Sequence, residues 1–132
     1  MTEKKRIQVV IALIRDCNHQ LFISKRARHV HQGDLWEFPG GKVEMGETIQ
    51  QALYRELLEE VGIEVQESEF MMTIKHDYPE VHVELQVYWI HRFSGQAFGL
   101  EGQEFQWVKK GRLQDYSFPK ANDVLIQALL ES

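Results

Sequence analysis

Residues 7–14, IQVVIALI, are apolar at every position but one. A run that is greasy on both faces predicts a central strand covered from both sides. DCNHQ (16–20) is a turn cluster, and LFISKR (21–26) reads as the returning strand of a hairpin. ARHVHQGD (27–34) is loop, and LWEFPGGK (35–42) is a short extended piece entering a glycine turn. From Thr48 to Val61 the apolar positions take helical spacing, with Gly62 as the stop and both Thr48 and Glu47 as candidate caps. FMMTIKHD (70–77) is a strand, broken by YPE. VHVELQVYWIHRF (81–93) alternates, with Val81, Val83, Leu85, Val87 and Trp89 on one face. SGQAFGLEGQ (94–103) is a glycine-rich loop, and EFQWV (104–108) is a further strand. PKANDVLIQALLE (119–131) predicts a helix with proline in its first turn and Val124, Leu125, Ala128 and Leu129 on its apolar side. The order β-β-loop-α-β-β-β-α predicts an α/β (α+β) fold, a mixed sheet between helices. No repeat, low-complexity tract or linker interrupts it, so residues 1–132 are expected to form a single domain.

The helix at 48–61 carries an unusual load. At 100° per residue from Ile49, Glu59, Glu56 and Glu60 fall at about 280°, 340° and 20°, and Leu53, Leu57, Val61 and Leu58 spread from about 40° to 180° as the buried stripe. The three carboxylates thus border the core-facing side. Like charges spaced i,i+3 and i,i+4 cost an isolated helix roughly 0.2–0.5 kcal/mol each, more where water is excluded. A solvated face with Arg55 paired to Glu59 accounts for part of this and leaves Glu56 and Glu60 unexplained. A hard divalent cation accounts for the rest, since Mg²⁺ and Mn²⁺ take carboxylate oxygens, waters and phosphates. Gly40, Gly41 and Gly46 precede the helix and permit close approach of backbone to ligand.

Composition narrows the partners. The net charge is −5, with 20 acids against 15 bases, which argues against a nucleic-acid polymer and leaves room for a small phosphorylated ligand bridged by a cation. The one cysteine, Cys17, cannot form an internal disulfide and suits a reducing compartment. The basic start MTEKKR is followed by too short an apolar run for a signal peptide, and no run is long enough to span a membrane. A cytoplasmic location is the expectation. His29 and His31 form an H-x-H pair with no third ligand placed to complete a zinc site, so they are expected to be loop histidines. Trp36, Trp89 and Trp107 are core or pocket-wall candidates, with Trp89 on the apolar strand face.

GKVEMGETIQQALYRELLEEVGI (41–63) resembles the Nudix box at every fixed position: Gly41, Glu47, Arg55-Glu56, Glu59-Glu60, Gly62 and the aliphatic residues between. EFPGGKVEMGET and the C-terminal FPKAN look like the MutT branch of that family, and the likeness in length and element order covers the chain. The resemblance implies an αβα sandwich. It also implies hydrolysis of 8-oxo-dGTP to 8-oxo-dGMP and pyrophosphate with Mg²⁺, for which Mn²⁺ substitutes, in nucleotide-pool sanitation that serves DNA replication and repair. Water would attack the inner β-phosphorus.

Carried over by position, the resemblance assigns metal binding to Glu56, Glu59, Glu60, Glu101 and the Gly40 carbonyl. Glu56 is the first choice for general base and Glu101 the second, with Gly99 and Gly102 letting the Glu101 loop move. Gly41, Glu47, Arg55 and Gly62 would be structural or orient the acids. Asn122 would read the purine edge, with a helix N-cap or an exposed first-turn position as its alternative; Arg26 would lie on the ligand side, or be a solvated strand end; the Phe38 backbone would border the base, or the residue serve only the core. The branch pattern has an arginine near position 81, where this chain has Val81, so any base contact from that loop falls to His82, Glu80 or backbone. The alternatives are a Nudix hydrolase of another nucleotide, such as a pyrimidine triphosphate, and a non-catalytic Nudix-fold binding module. Such modules commonly lose box carboxylates, and here all three remain. A monomer acting on a small nucleotide is the expectation.

Overall fold

A computed structural model describes residues 4–29 and 33–132. The doubly apolar run becomes β1 (Lys5–Ile14), and its alternation divides the interior in two. Val10, Ala12 and Ile14 point to one core with Ala52, Leu53, Leu57, Val61 and Ile63; Ile11 and Leu13 point to the other with Leu85, Val87, Leu125 and Leu129. The first core is roofed by α1 (Ile49–Val61) and the second by α2 (Asp123–Glu131), giving the layered helix–sheet–helix arrangement. Side chains such as Leu13, Leu53, Leu57 and Leu125 are completely shielded from solvent. Burial of that kind contributes about 1.5–3 kcal/mol per large apolar side chain.

The sheet is split. The larger one runs β4 (Gly40–Lys42), β1, β6 (Val81–Ser94), β5 (Glu64–Asp77). It is mixed, because β1 pairs in parallel with β6 and antiparallel with β4. The smaller runs β3 (Trp36–Glu37), β2 (Gln20–Lys25), β7 (Phe105–Lys109), all antiparallel. The expected hairpin between β1 and β2 is therefore reduced to one bridge, Arg15 to Leu21, after which the strands diverge into different sheets. Phe22 still faces the α1 core while Leu21 and Ile23 face the α2 core, so β2 continues the division begun by β1.

Four further expectations change. β5 begins at Glu64 rather than Phe70. It is an edge strand that pairs with β6, and in its first residues EVQESE a single apolar letter, Val65, packs against the α1 core, too little to give a periodic signal. Leu58 and Val124, assigned to apolar helix stripes, are exposed. Ala52 fills the first place instead, since the buried stripe of α1 is centred nearer Leu53 and Leu57. The last helix opens with a 3₁₀ turn at Lys120–Asn122, because Pro119 has an extended ψ of 144° and the chain only then coils. A 3₁₀ segment at Lys110–Asp115 went unread in KGRLQD.

The start of α1 is settled by Thr48. Its hydroxyl accepts from Gln51 N at 3.1 Å, and the Gln51 side-chain oxygen accepts from Thr48 N at 2.8 Å, a reciprocal cap. Gly62 ends the helix in the left-handed region (φ 78°), where its N–H closes on the Leu57 carbonyl at 3.0 Å. Fixed ends matter because they set which way the acids of the last two turns project.

Candidate active site

A cleft of about 570 Å³ opens where β1, β4, α1 and the segment before α2 meet. Its lining includes Gly40, Gly41, Glu56, Glu60 and Glu101, and also Arg26, Phe38 and Asn122. The structure thus brings eight of the sequence-derived site residues to one cavity. Glu59 does not line it: its carboxylate is exposed and lies 3.5 Å from Arg55 Nη1.

Arg55 organises the acidic side. Its Nε and Nη2 donate to the two oxygens of Glu47 at 2.6 and 2.9 Å, a paired fork. Nη1 donates to Glu56 Oε1 at 2.9 Å, and Nη2 donates to the Lys42 carbonyl at 3.1 Å. One guanidinium therefore ties the loop at 42–47 to the helix and fixes the carboxylate of Glu56. The bond to Arg55 holds the Glu47 carboxyl down at about 2. Arg55 in turn is held even more firmly protonated than usual, first by Glu47.

The glycines make room. A Cβ on Gly41 would lie 2.3–2.6 Å from the three carboxyl atoms of Glu56, so only glycine lets that carboxylate rest on β4. A Cβ on Gly40 would meet the Val10 carbonyl oxygen at 1.9 Å, so Gly40 is what allows β4 to lie against β1. Gly40 N donates to Glu60 Oε2 at 3.3 Å, which leads the Glu60 carboxyl into the cleft wall.

Charge is crowded here. Burial raises the Glu60 carboxyl to about 8; the charges of Glu37, Glu56 and Glu101 push it the same way, and the Gly40 bond opposes them. Glu56 is raised too, first by burial, with Arg55 offsetting and Glu59 and Glu101 adding repulsion. Helix α1 has no basic residue in its last turn, so Glu59 and Glu60 also sit at the unfavourable end of its dipole. Among the described residues no three His, Cys, Asp or Glu side chains converge tightly enough to form a ready-made metal cage. The donor set is hard oxygen, partly desolvated and mutually repelling. It fits a cation that takes one or two carboxylates and completes its shell with waters and substrate phosphates.

The remaining lining residues suit a flat, polar-edged group. Asn122 is buried, its Nδ2 donating to the Pro119 carbonyl at 3.4 Å, and it makes no capping bond to α2. Phe38 is buried, its ring stacked on Phe118 with centroids 5.2 Å apart. Arg26 Nη1 donates to Glu37 Oε1 at 2.9 Å. Burial raises Glu37, and Arg26 opposes that rise.

Sequence reasoning missed Glu37, Lys42 and Tyr78 on the lining. Glu37 had a signal, an acid inside the apolar stretch LWEFP. Tyr78 was read only as part of a strand break, yet it is what the 78–81 loop gives to the cleft. His82 is directed elsewhere, its Nδ1 2.8 Å from Asp77 Oδ1 and its Nε2 3.3 Å from Glu84 Oε2, and Glu80 and Val81 do not line the cleft. The three tryptophans stay off it as well, packed against the two cores. His29 is exposed, and His31 lies outside the described residues. No helix among the described residues is long and apolar enough to cross a membrane.

Comparison with known proteins identifies the family. Residues 10–128 match the NUDIX domain model. The chain is 39% identical over 125 residues to an Escherichia coli 8-oxo-dGTP diphosphatase, covering 95% of this chain and 97% of that one. It is 32% identical over 126 residues to an Escherichia coli CTP pyrophosphohydrolase, covering 96% and 93%. A solved MutT structure, from a study of the Aliivibrio salmonicida and Vibrio cholerae proteins, superposes with a TM-score of 0.84 at 40% identity, covering 96% of this chain and 98% of that one. On the family match over most of its length and on relatives of this identity, the chain belongs to the NUDIX domain family.

Proposed function

We propose that the chain is a magnesium-dependent nucleoside triphosphate pyrophosphohydrolase that converts 8-oxo-dGTP to 8-oxo-dGMP and pyrophosphate. The observation that carries this reading is one cleft lined both by the acids Glu56, Glu60 and Glu101 and by the buried amide of Asn122. A triphosphate and its purine need both at once.

Nudix hydrolases generally require a divalent metal ion. Here Glu56, Glu60, Glu101 and the Gly40 carbonyl are the groups that would hold it, and Glu59, one turn from Glu56 and exposed, would need to turn toward the cleft to join them. When bound, such an ion neutralises phosphate charge and acidifies water. The chain's own groups do the rest. Arg55 fixes one oxygen of Glu56, and partial burial raises that carboxyl's proton affinity. Glu56 is therefore suited to take a proton from water as its oxygen bonds to the β-phosphorus. The bond from that phosphorus to the α,β-bridging oxygen breaks, and the nucleoside monophosphate leaves with the oxygen. Glu101 is the second candidate for the proton. Lys42 lines the same cleft and offers the phosphates a positive charge. Asn122 offers both a donor and an acceptor to the purine edge, and Arg26, held by Glu37, borders the base.

The test is a turnover screen with Mg²⁺ and separately with Mn²⁺. Pyrophosphate release from 8-oxo-dGTP should far exceed that from dGTP. Equal rates would remove the oxidised-base assignment and leave the pyrophosphohydrolase chemistry. Faster turnover of CTP would favour the second reading, a pyrimidine triphosphate hydrolase, which the similarity to a CTP pyrophosphohydrolase supports. We read residues 1–132 as one catalytic domain acting as a cytoplasmic monomer; light scattering at micromolar concentration tests the monomer.

A further inference from the structure

We propose that Gln103 is a positioning residue, clamping the turn that carries Glu101 onto the end of helix α1. The inference rests on the role given to Glu101 above. Residues 99–102 form a tight turn, with Gly102 N donating to the Gly99 carbonyl at 3.0 Å and Gly102 at φ 85°. A Cβ on Gly99 would lie 2.1 Å from the Gln103 carbonyl oxygen, so this glycine serves close packing.

The ties run to α1. Phe98 N donates to the Val61 carbonyl at 3.1 Å, and Leu100 N to the Glu60 carbonyl at 3.2 Å. The Gln103 side chain then bridges both partners. Its Nε2 donates to the Glu60 carbonyl at 3.0 Å, and its Oε1 accepts from Glu101 N at 2.9 Å. Only one orientation of the amide satisfies both bonds, because each end has a single chemistry. One side chain thus touches the backbones of two residues whose carboxylates line the cleft. It sets the spacing between the loop acid and the helix acid without reaching the cleft itself.

The test uses Gln103→Met, which keeps length and loses both bonds, and Gln103→Glu, which loses the donor to Glu60. Both should lower kcat by about tenfold or more with KM changed by less than about threefold, as expected when a group that orients a ligand is removed. Amide hydrogen exchange at Glu101, measured without metal or nucleotide, should accelerate in Gln103→Met, which loses the acceptor for that N–H. The double variant Gln103→Met with Glu101→Gln should turn over no more slowly than Glu101→Gln alone, because the two act through one group. Wild-type kcat in Gln103→Met, unchanged exchange at Glu101, or losses that multiply in the double variant would each overturn the proposal. If Glu101→Gln itself keeps wild-type turnover, the role given to Glu101 fails, and the exchange measurement still decides whether Gln103 holds the turn.

Discussion

Replacing Glu60 with glutamine should make the metal-free protein more stable and the enzyme inactive. The neutral amide keeps an oxygen for the Gly40 N–H and removes a charge that its surroundings oppose. Burial first, then the charges of Glu37, Glu56 and Glu101, raise the Glu60 carboxyl from 4.5 to about 8. A carboxyl raised on folding contributes stability that is fully present below its unfolded value and is lost as pH climbs through the folded one. From 4.5 to pH 7 the loss accrues at about 1.4 kcal/mol per pH unit, or about 3 kcal/mol in all. At pH 4 the wild type has lost almost none of it. Melting curves of wild type and Glu60→Gln in chelator should therefore separate with pH, reaching about 10 °C near pH 7 for a chain of this size. Adding Mg²⁺ with nucleotide should narrow the gap, since the wild type gains more binding energy than the variant. A melting difference that stays constant from pH 4 to pH 8 would refute the reasoning, because the carboxyl would then titrate alike in folded and unfolded chains.

Other substitutions probe the same wall. Gly41→Ala places its Cβ 2.3 Å from the Glu56 carboxyl carbon and should displace that flexible end, cutting kcat at least about tenfold with the fold kept; circular dichroism and kinetics together check it. Gly40→Ala meets backbone at 1.9 Å instead and should lower the melting temperature as well. Arg55→Lys loses the fork to Glu47 and the hold on Glu56, so turnover should fall about 10–100-fold. The Glu47 carboxyl is depressed to about 2, so its contribution to stability is present above 4.5 and is lost as pH falls toward 2. Acid melts should show that loss in wild type and not in Glu47→Gln. Asn122→Ala should reduce the preference for 8-oxo-dGTP over dGTP by about tenfold or more, with pyrophosphate still released, as a competition assay would show.

The parts legible in the sequence were those whose physics is local. β1 announced itself by being apolar on both faces, and α1 by its stripe and its glycine stop. The crowding of Glu56 and Glu60 followed from a helical wheel, and their burial bears it out. The rest depended on tertiary placement. Nothing in 21–26 says that β2 leaves β1 for another sheet, because that choice is made by pairing with β7, some 80 residues on. Five of the first six residues of β5 are polar because an edge strand can be, and Val65 alone gave alternation nothing to detect. Tyr78 joins the cleft and His82 leaves it through the loop between β5 and β6, whose shape no periodicity encodes. Gln103 was one polar letter in a loop until two backbones closed around it.

The central claim is that side-chain oxygens at the end of α1 hold a divalent cation together with a nucleotide's phosphates. Calorimetric titration of Mn²⁺ into protein saturated with the α,β-methylene analogue of dGTP tests it most directly, run in parallel on wild type, Glu56→Gln and Glu60→Gln. The account predicts a saturable isotherm for wild type and affinity at least about tenfold weaker in each variant. No Mn²⁺ binding by wild type, or three superimposable isotherms, would contradict it.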